Sequence, residues 1–295
     1  MNSEIKKTKM VPLPSQSIIP ERDIAQKPIL EVSRLGINFG GLAAVEDFNI
    51  AVGPTEICGI IGPNGAGKTT IFNLLTKVYQ PTSGAILLDG QDTSNMNTVQ
   101  INQAGIARTF QNIRLFPSLS VEDNVKIGLH NQIGYNMVSG IFRLPAFFSG
   151  ERRARKRVME LLDIFDMTHL ASHRAGSLPY GAQRRLELIR ALATNPKLLL
   201  LDEPAAGMNP SETEELMSNI EKIRDSFQIA IMLIEHDMRL VMGICEGIAV
   251  INYGKIIAKG TPEEIQKNPL VIEAYLGKKK GKIHVKRDRD PGLLQ

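Results

Sequence analysis

Between an apolar run, EICGIIG, and a helix-patterned stretch, KTTIFNLLTKV, the chain carries Gly62, Pro63, Asn64, Gly65, Ala66, Gly67, Lys68 and Thr69, with Thr70 following. These residues fit G-x-x-x-x-G-K-[ST] in the order strand, loop, helix, the context that gives the pattern its meaning. The glycines permit backbone geometry that turns successive N–H groups toward phosphate oxygens, and the helix behind them adds its positive end. Lys68 is expected to reach the β- and γ-phosphates of a nucleotide, and Thr69 to offer its hydroxyl to Mg²⁺.

The surrounding pattern sets the fold class. Upstream, ILEVSRLGINFGGLAAVEDFNIAV alternates apolar and polar residues around Gly40 and Gly41, which predicts two antiparallel strands and a glycine turn. A further strand pair is expected around Ala85 to Asp89, and a strand over Gly105 to Phe110. Helical periodicity then takes over in VEDNVKIGL, ERRARKRVMELLDIF and AQRRLELIRALA. Strand signals resume at LLLLD, IAIMLIEHD and EGIAVINYG, separated by helical stretches such as SETEELMSNIEKIRDSF. Apolar strands joined by crossovers imply a mostly parallel sheet covered on both faces. The expectation is an α/β P-loop NTPase core with an antiparallel β subdomain and an inserted helical lobe, at about residues 112–195. Residues 1–28 read as a flexible leader, 29–277 as the folded domain, and 278–295 as a basic tail.

Three apolar strands are expected to end in chemistry. LLLLDE puts Asp202 and Glu203 at the carboxyl edge, where a parallel sheet presents its ligands. Asp202 suits the shell of Mg²⁺, a hard cation that takes few carboxylates, and Glu203 is placed to act as general base toward water. IEHD brings His236 to the same edge, within reach of a γ-phosphate. Gln111, after GIARTF, is a strand-end amide suited to sensing Mg²⁺ and the attacking water.

Composition excludes other classes. The formal charge of +4 is mild and much of it sits in KKKGKIHVKRDRD; with no Trp and few Tyr, platforms for stacking bases are scarce, so nucleic acid is not an expected partner. The two cysteines, Cys58 and Cys245, lie in apolar stretches without metal-ligand spacing and read as core residues in a reducing compartment. MNSEIKKTKMVPLPSQ lacks an apolar h-region, and no apolar run is long enough to span a bilayer. A cytoplasmic protein is expected, with membrane contact made through a partner.

Taken in order, these pieces resemble the ATP-binding subunit of an ABC transporter over residues 29–277. The family's LSGGQ signature corresponds to Leu178, Pro179, Tyr180, Gly181 and Ala182, departing at three of five positions. Pro179 brings neither the serine hydroxyl nor a backbone N–H to a phosphate, while Gly181 keeps the central backbone position. INFGGLAAVEDF, IARTFQNIRLFPSLSVEDNV, LPYGAQRRLELIRALATNPKLLLLDEPAAGMNP and EAYLG resemble the ATPases of branched-chain amino acid importers, in which LPYG replaces LSGG.

That resemblance implies further roles. Phe39 stacks on adenine, and Gly181 contacts the γ-phosphate of ATP held by a second ATPase subunit, identical or related. Asn209 stands where the family's D-loop has aspartate, and it also suits a helix cap before Pro210. ATP with Mg²⁺ is the expected ligand. Transmembrane permeases are the expected partners, with a periplasmic or extracellular substrate-binding protein acting indirectly, and the subunit rests on the inner face of the cell membrane. The segment Asn112 to Pro117 and the insert MVSGIFRLPAFF, rimmed by Arg114 and Arg143, either form the permease groove or pack inside the lobe. Alternative cargoes are urea, other amino acids or lipopolysaccharide, and a soluble ABC ATPase is a different class that the single cassette disfavours.

Overall fold

The computed structural model describes residues 27–132 and 145–276. The leader, except residues 27 and 28, the basic tail, and residues 137–144 of the apolar insert with Arg143 lie outside the described residues.

Two strands, β1 (Leu30–Phe39) and β2 (Leu42–Val52), form the expected antiparallel hairpin. With β4 (Ser83–Leu88) and β5 (Gln91–Asp92) they make a four-stranded sheet in the order β2-β1-β4-β5. The second sheet is built from β3 (Ile57–Ile61), β6 (Ile106–Arg108), β7 (Leu198–Asp202), β8 (Ala230–Ile234), β9 (Gly247–Asn252) and β10 (Lys255–Gly260). Its order is β10-β9-β3-β8-β7-β6. All neighbours are parallel except β9 and β10.

Every residue of β3, β7 and β8 is buried, and successive side chains enter different cores. Leu199 and Leu201 of β7 point into one cluster, and Leu198 and Leu200 into the other. This is why these strands read as unbroken apolar runs: a parallel sheet covered on both faces has no polar side. One face is roofed by α1 (Lys68–Leu75), whose Phe72 and Leu75 share one buried cluster with the hairpin residues Phe48 and Ile50. The opposite face holds α3 (Val121–Gly128), α4 (Pro145–Ile164), α5 (Tyr180–Leu192), α6 (Pro210–Phe227) and α7 (Met238–Ile244).

Helix starts follow the side chains that cap them. Asn97 opens α2 (Thr98–Ala104), Asn209 opens α6 and Thr261 opens α8 (Pro262–Lys267), each in a reciprocal capping box. Asn209 therefore fills the capping role before Pro210. A last helix, α9 (Pro269–Leu276), lies against β10 and α8. Among the described residues no helix is long and apolar enough to cross a membrane.

At two positions of the loop after β3 the fold leaves no room for a side chain. A Cβ on Gly62 would stand 2.0 Å from the Ile251 carbonyl oxygen, and one on Gly67, at φ 104°, would stand 2.8 Å from that of Ala44. Gly62→Ala is expected to cost about 3 kcal/mol or more, the upper range for overpacking, because the obstacle is backbone in a central strand. Gly65→Ala meets nothing within 4 Å and should cost only the left-handed strain, about 1–2 kcal/mol. Urea unfolding of both variants checks the order.

Candidate functional site

Since β3, β6, β7 and β8 run parallel, their carboxyl ends open on one edge of the sheet. There a cavity of about 490 Å³ is walled by the glycine loop from Asn64 to Thr70, by Ala43 and Ala44 at the hairpin tip, and by Glu203. Lys68 is buried at its base, donating to the carbonyls of Gly62 at 2.7 Å and Pro63 at 3.0 Å. Burial pushes its ammonium below the ordinary lysine value, while Glu203 and Asp202 pull it back up. Thr69, on the first turn of α1, faces the same space.

Glu203 sits one residue beyond β7 in a left-handed conformation, φ 47°, and its N–H donates to the Ile234 carbonyl at 2.9 Å. That turn stations the carboxylate at the sheet edge. Its Oε2 accepts from the Gln111 amide at 2.5 Å, and His236 Nδ1 lies 3.8 Å from Oε1. At 3.8 Å the imidazole is near Glu203 without a hydrogen bond to it, and its side chain is 62% exposed. An ionised carboxylate held by an amide keeps acceptor capacity for water.

Thus Lys68, Thr69, Glu203, Gln111, His236 and Asp202 come together at one edge. Two residues stand apart. Phe39, at the end of β1, is 46% exposed and packs edge-on to Tyr79 at 5.2 Å rather than lining the cavity. Gly181 opens α5 and does not line this cavity either; beside it the Tyr180 hydroxyl donates to the Ala206 carbonyl at 2.9 Å.

Four residues escaped the sequence reading. Arg108, at the end of β6, donates to Asp202 Oδ2 at 2.6 Å and to Asn73 Oδ1 at 2.7 Å, with both partners of the ion pair 7% exposed. Its guanidinium lies over the rings of Phe72 and Phe110. Arg108→Met is expected to cost about 3–5 kcal/mol by stranding a buried carboxylate. Adding Asp202→Asn should return part of that loss, and denaturant midpoints of the single and double variants measure it.

Glu235, just before His236, is 1% exposed. It accepts from the N–H groups of Ala205, His236 and Asp237, at 2.7, 3.0 and 3.3 Å, and so joins the loops that follow β7 and β8. Arg184 of α5 reaches beneath Gln111 and Glu203. Burial pushes the phenol of Tyr275 in α9 up and the backbone of Gly62 beside it pulls it back down, which places the EAYLG segment next to the phosphate loop. Local sequence carried a signal for Glu235 alone, a carboxylate at the end of an apolar strand.

Cys58 and Cys245 are free and buried, and burial pushes both thiols up, which keeps them unreactive. In the segment before Pro117, the Arg114 guanidinium stacks on Phe110 at 4.1 Å and Phe116 is 47% exposed.

The chain is similar to known proteins in sequence and in fold. The family model described as "ABC transporter" matches residues 45–206, and one described as "Branched-chain amino acid ATP-binding cassette transporter" matches residues 255–280. The chain is 48% identical to the high-affinity branched-chain amino acid transport ATP-binding protein BraF of Pseudomonas aeruginosa, covering 85% of this chain and 98% of that one. It is 46% identical, over the same shares, to the protein of corresponding description, LivG, of Escherichia coli. Its fold resembles the crystal structure of the ADP conformation of MJ1267, an ATP-binding cassette of an ABC transporter, with a TM-score of 0.74 and 28% identity, covering 85% of this chain and all of that one. A family model spanning more than half of the chain, and relatives matched almost from end to end, place this protein in the ABC transporter family as an ATP-binding, ATP-hydrolysing subunit.

Proposed function

We propose that the chain is the motor subunit of a bacterial importer of branched-chain amino acids, in which ATP closes two ATPase subunits and hydrolysis reopens them. Lys68 binds the β- and γ-phosphates. Glu203 takes a proton from the attacking water, Gln111 orients that carboxylate and the water, and His236 contacts the γ-phosphate. General-base assistance of this kind contributes about 10²–10⁴-fold. The observation that carries the reading is the Gln111–Glu203 hydrogen bond at 2.5 Å beside the Lys68 loop.

Mg²⁺ fits this donor set. The hydroxyl of Thr69, the carboxylate of Asp202 and the amide oxygen of Gln111 are hard oxygen ligands, and Mg²⁺ completes its shell with water and substrate phosphate. Arg108 occupies Oδ2 of Asp202 and leaves Oδ1 for the ion or its waters. When bound, Mg²⁺ neutralises charge developing on the transferred phosphoryl group.

Gly181 and Phe39 act outside the cavity wall. Gly181, held away from its own loop, serves ATP on a second subunit, a related chain or another copy. Phe39, at the hairpin tip, is the adenine platform. Permease partners hold the subunit at the inner face of the membrane, where Phe116 and Arg114 border the docking groove, and a substrate-binding protein delivers cargo on the other side.

The cargo reading rests on the names of the relatives and on the match over residues 255–280. Uptake of radiolabelled leucine, isoleucine and valine by cells lacking the gene tests it. Loss of uptake that the wild-type gene restores and the Glu203→Gln gene does not is the expected result; unaltered uptake in the deletion removes the cargo assignment.

A further inference from the structure

Beneath the Gln111–Glu203 hydrogen bond lies a fully enclosed ion pair. Arg184 and Glu187 of α5 are 3% and 2% exposed and bonded to each other at 2.7 Å. Taking two charges out of water is expensive, and a pair this deep rarely stabilises a fold more than apolar residues of similar size. The bonds it makes explain its place better.

Arg184 donates through Nη1 to the Phe110 carbonyl at 2.7 Å, and through Nη2 to the carbonyls of Gln111 at 2.9 Å and Glu203 at 3.1 Å. Glu187 Oε1 faces the N–H groups of Phe110 and Arg114 at 3.5 and 3.4 Å. One guanidinium thus grips the backbone of both catalytic strand-end loops, while its carboxylate partner faces the N–H side of the Gln111 loop. The remaining nitrogen, Nε, is buried without a hydrogen-bond partner among the described residues. A fold selected for stability alone has little reason to keep that cost.

We infer that Arg184 is a positioning residue that sets Gln111 and Glu203 in register and fixes both to α5, the helix that Gly181 opens. The planar fork is essential to this, because a lysine ammonium is a point charge that cannot span carbonyls on two loops at once. When α5 shifts as a second subunit engages, Arg184 carries the loop bearing Gln111 and the backbone of Glu203 with it. The amide and the carboxylate then reach the water together.

This inference rests on the proposed roles of Gln111 and Glu203, and the test separates the two. Arg184→Gln, Arg184→Lys and the apolar pair Arg184→Met with Glu187→Leu are compared with wild type in the full chain. Steady-state ATPase assays give kcat and KM, a fluorescent ATP analogue gives affinity, and urea unfolding gives stability. Misplacement of a catalytic group by about 1 Å costs on the order of 10²-fold, so kcat should fall about 10–100-fold in Arg184→Gln with affinity unchanged. The Met/Leu pair strands no buried charge, so its urea midpoint should fall less than that of Arg184→Gln, while it still turns over slowly. Arg184→Lys should fall between wild type and Arg184→Gln. Wild-type kcat in the Met/Leu pair, or a loss confined to KM or to stability, overturns the positioning role. Should Glu203→Gln itself turn over normally, the base assignment fails instead.

Discussion

Lys68→Ala is expected to weaken ATP binding by about 10–100-fold, the loss of one charge-assisted hydrogen bond at about 1.5–3 kcal/mol. The ammonium is buried under the glycine loop and bonds to the Gly62 and Pro63 carbonyls. Glu203 and Asp202 both pull its titration upward. When ATP arrives, those carboxylates and the phosphates share one electrostatic field, and without the ammonium the phosphates meet Glu203 uncompensated. Lys68→Arg should rescue little, because the planar guanidinium needs width where a compact ammonium is enclosed. Isothermal titration with ATP measures the loss; wild-type affinity in Lys68→Ala contradicts the role.

Glu203→Gln is expected to lower kcat by about 10²–10⁴-fold while leaving ATP affinity in place. The replacement is isosteric, so the backbone turn at φ 47° and the bond from the Glu203 N–H to Ile234 remain. The carboxylate charge and its basicity are what vanish. Gln111 can still donate to the new amide oxygen, so the site keeps its shape. A drop of only a few fold in steady-state turnover means another group accepts the proton, and His236, with Nδ1 3.8 Å from Glu203 Oε1, is the next base in reach.

Much of this site was legible because the residues that make it are consecutive. LLLLDE declares itself: five buried strand residues followed by a turn can only deliver Glu203 to a sheet edge. The glycine loop is equally local, with its strand and helix on either side. Arg108 and Arg184 show the limit. The partner of Arg108 is 94 residues away and the Gln111 carbonyl is 73 residues from Arg184, so their chemistry exists only after the sheet and α5 come together. Within IARTF and AQRRLEL they look like solvated charges on amphipathic elements. The short elements were missed for another reason. Asn97 with Gln100, and Thr261 with Glu264, are capping pairs readable in sequence, and β10 follows a Tyr253-Gly254 turn; each segment is too brief for periodicity to mark. Gly181 stands apart from the loop because it lies in the first turn of α5, and its proposed ligand is ATP on a second subunit.

The central claim, that Glu203 turns an ATP-binding loop into a hydrolytic one, is tested most directly by the identity of the bound nucleotide. Wild-type and Glu203→Gln protein are incubated with limiting Mg²⁺-ATP, quenched after several wild-type turnover times, and the extracted nucleotide is resolved by chromatography. ADP from the wild type and intact ATP from Glu203→Gln is the predicted result; ADP from both at equal rates contradicts the account.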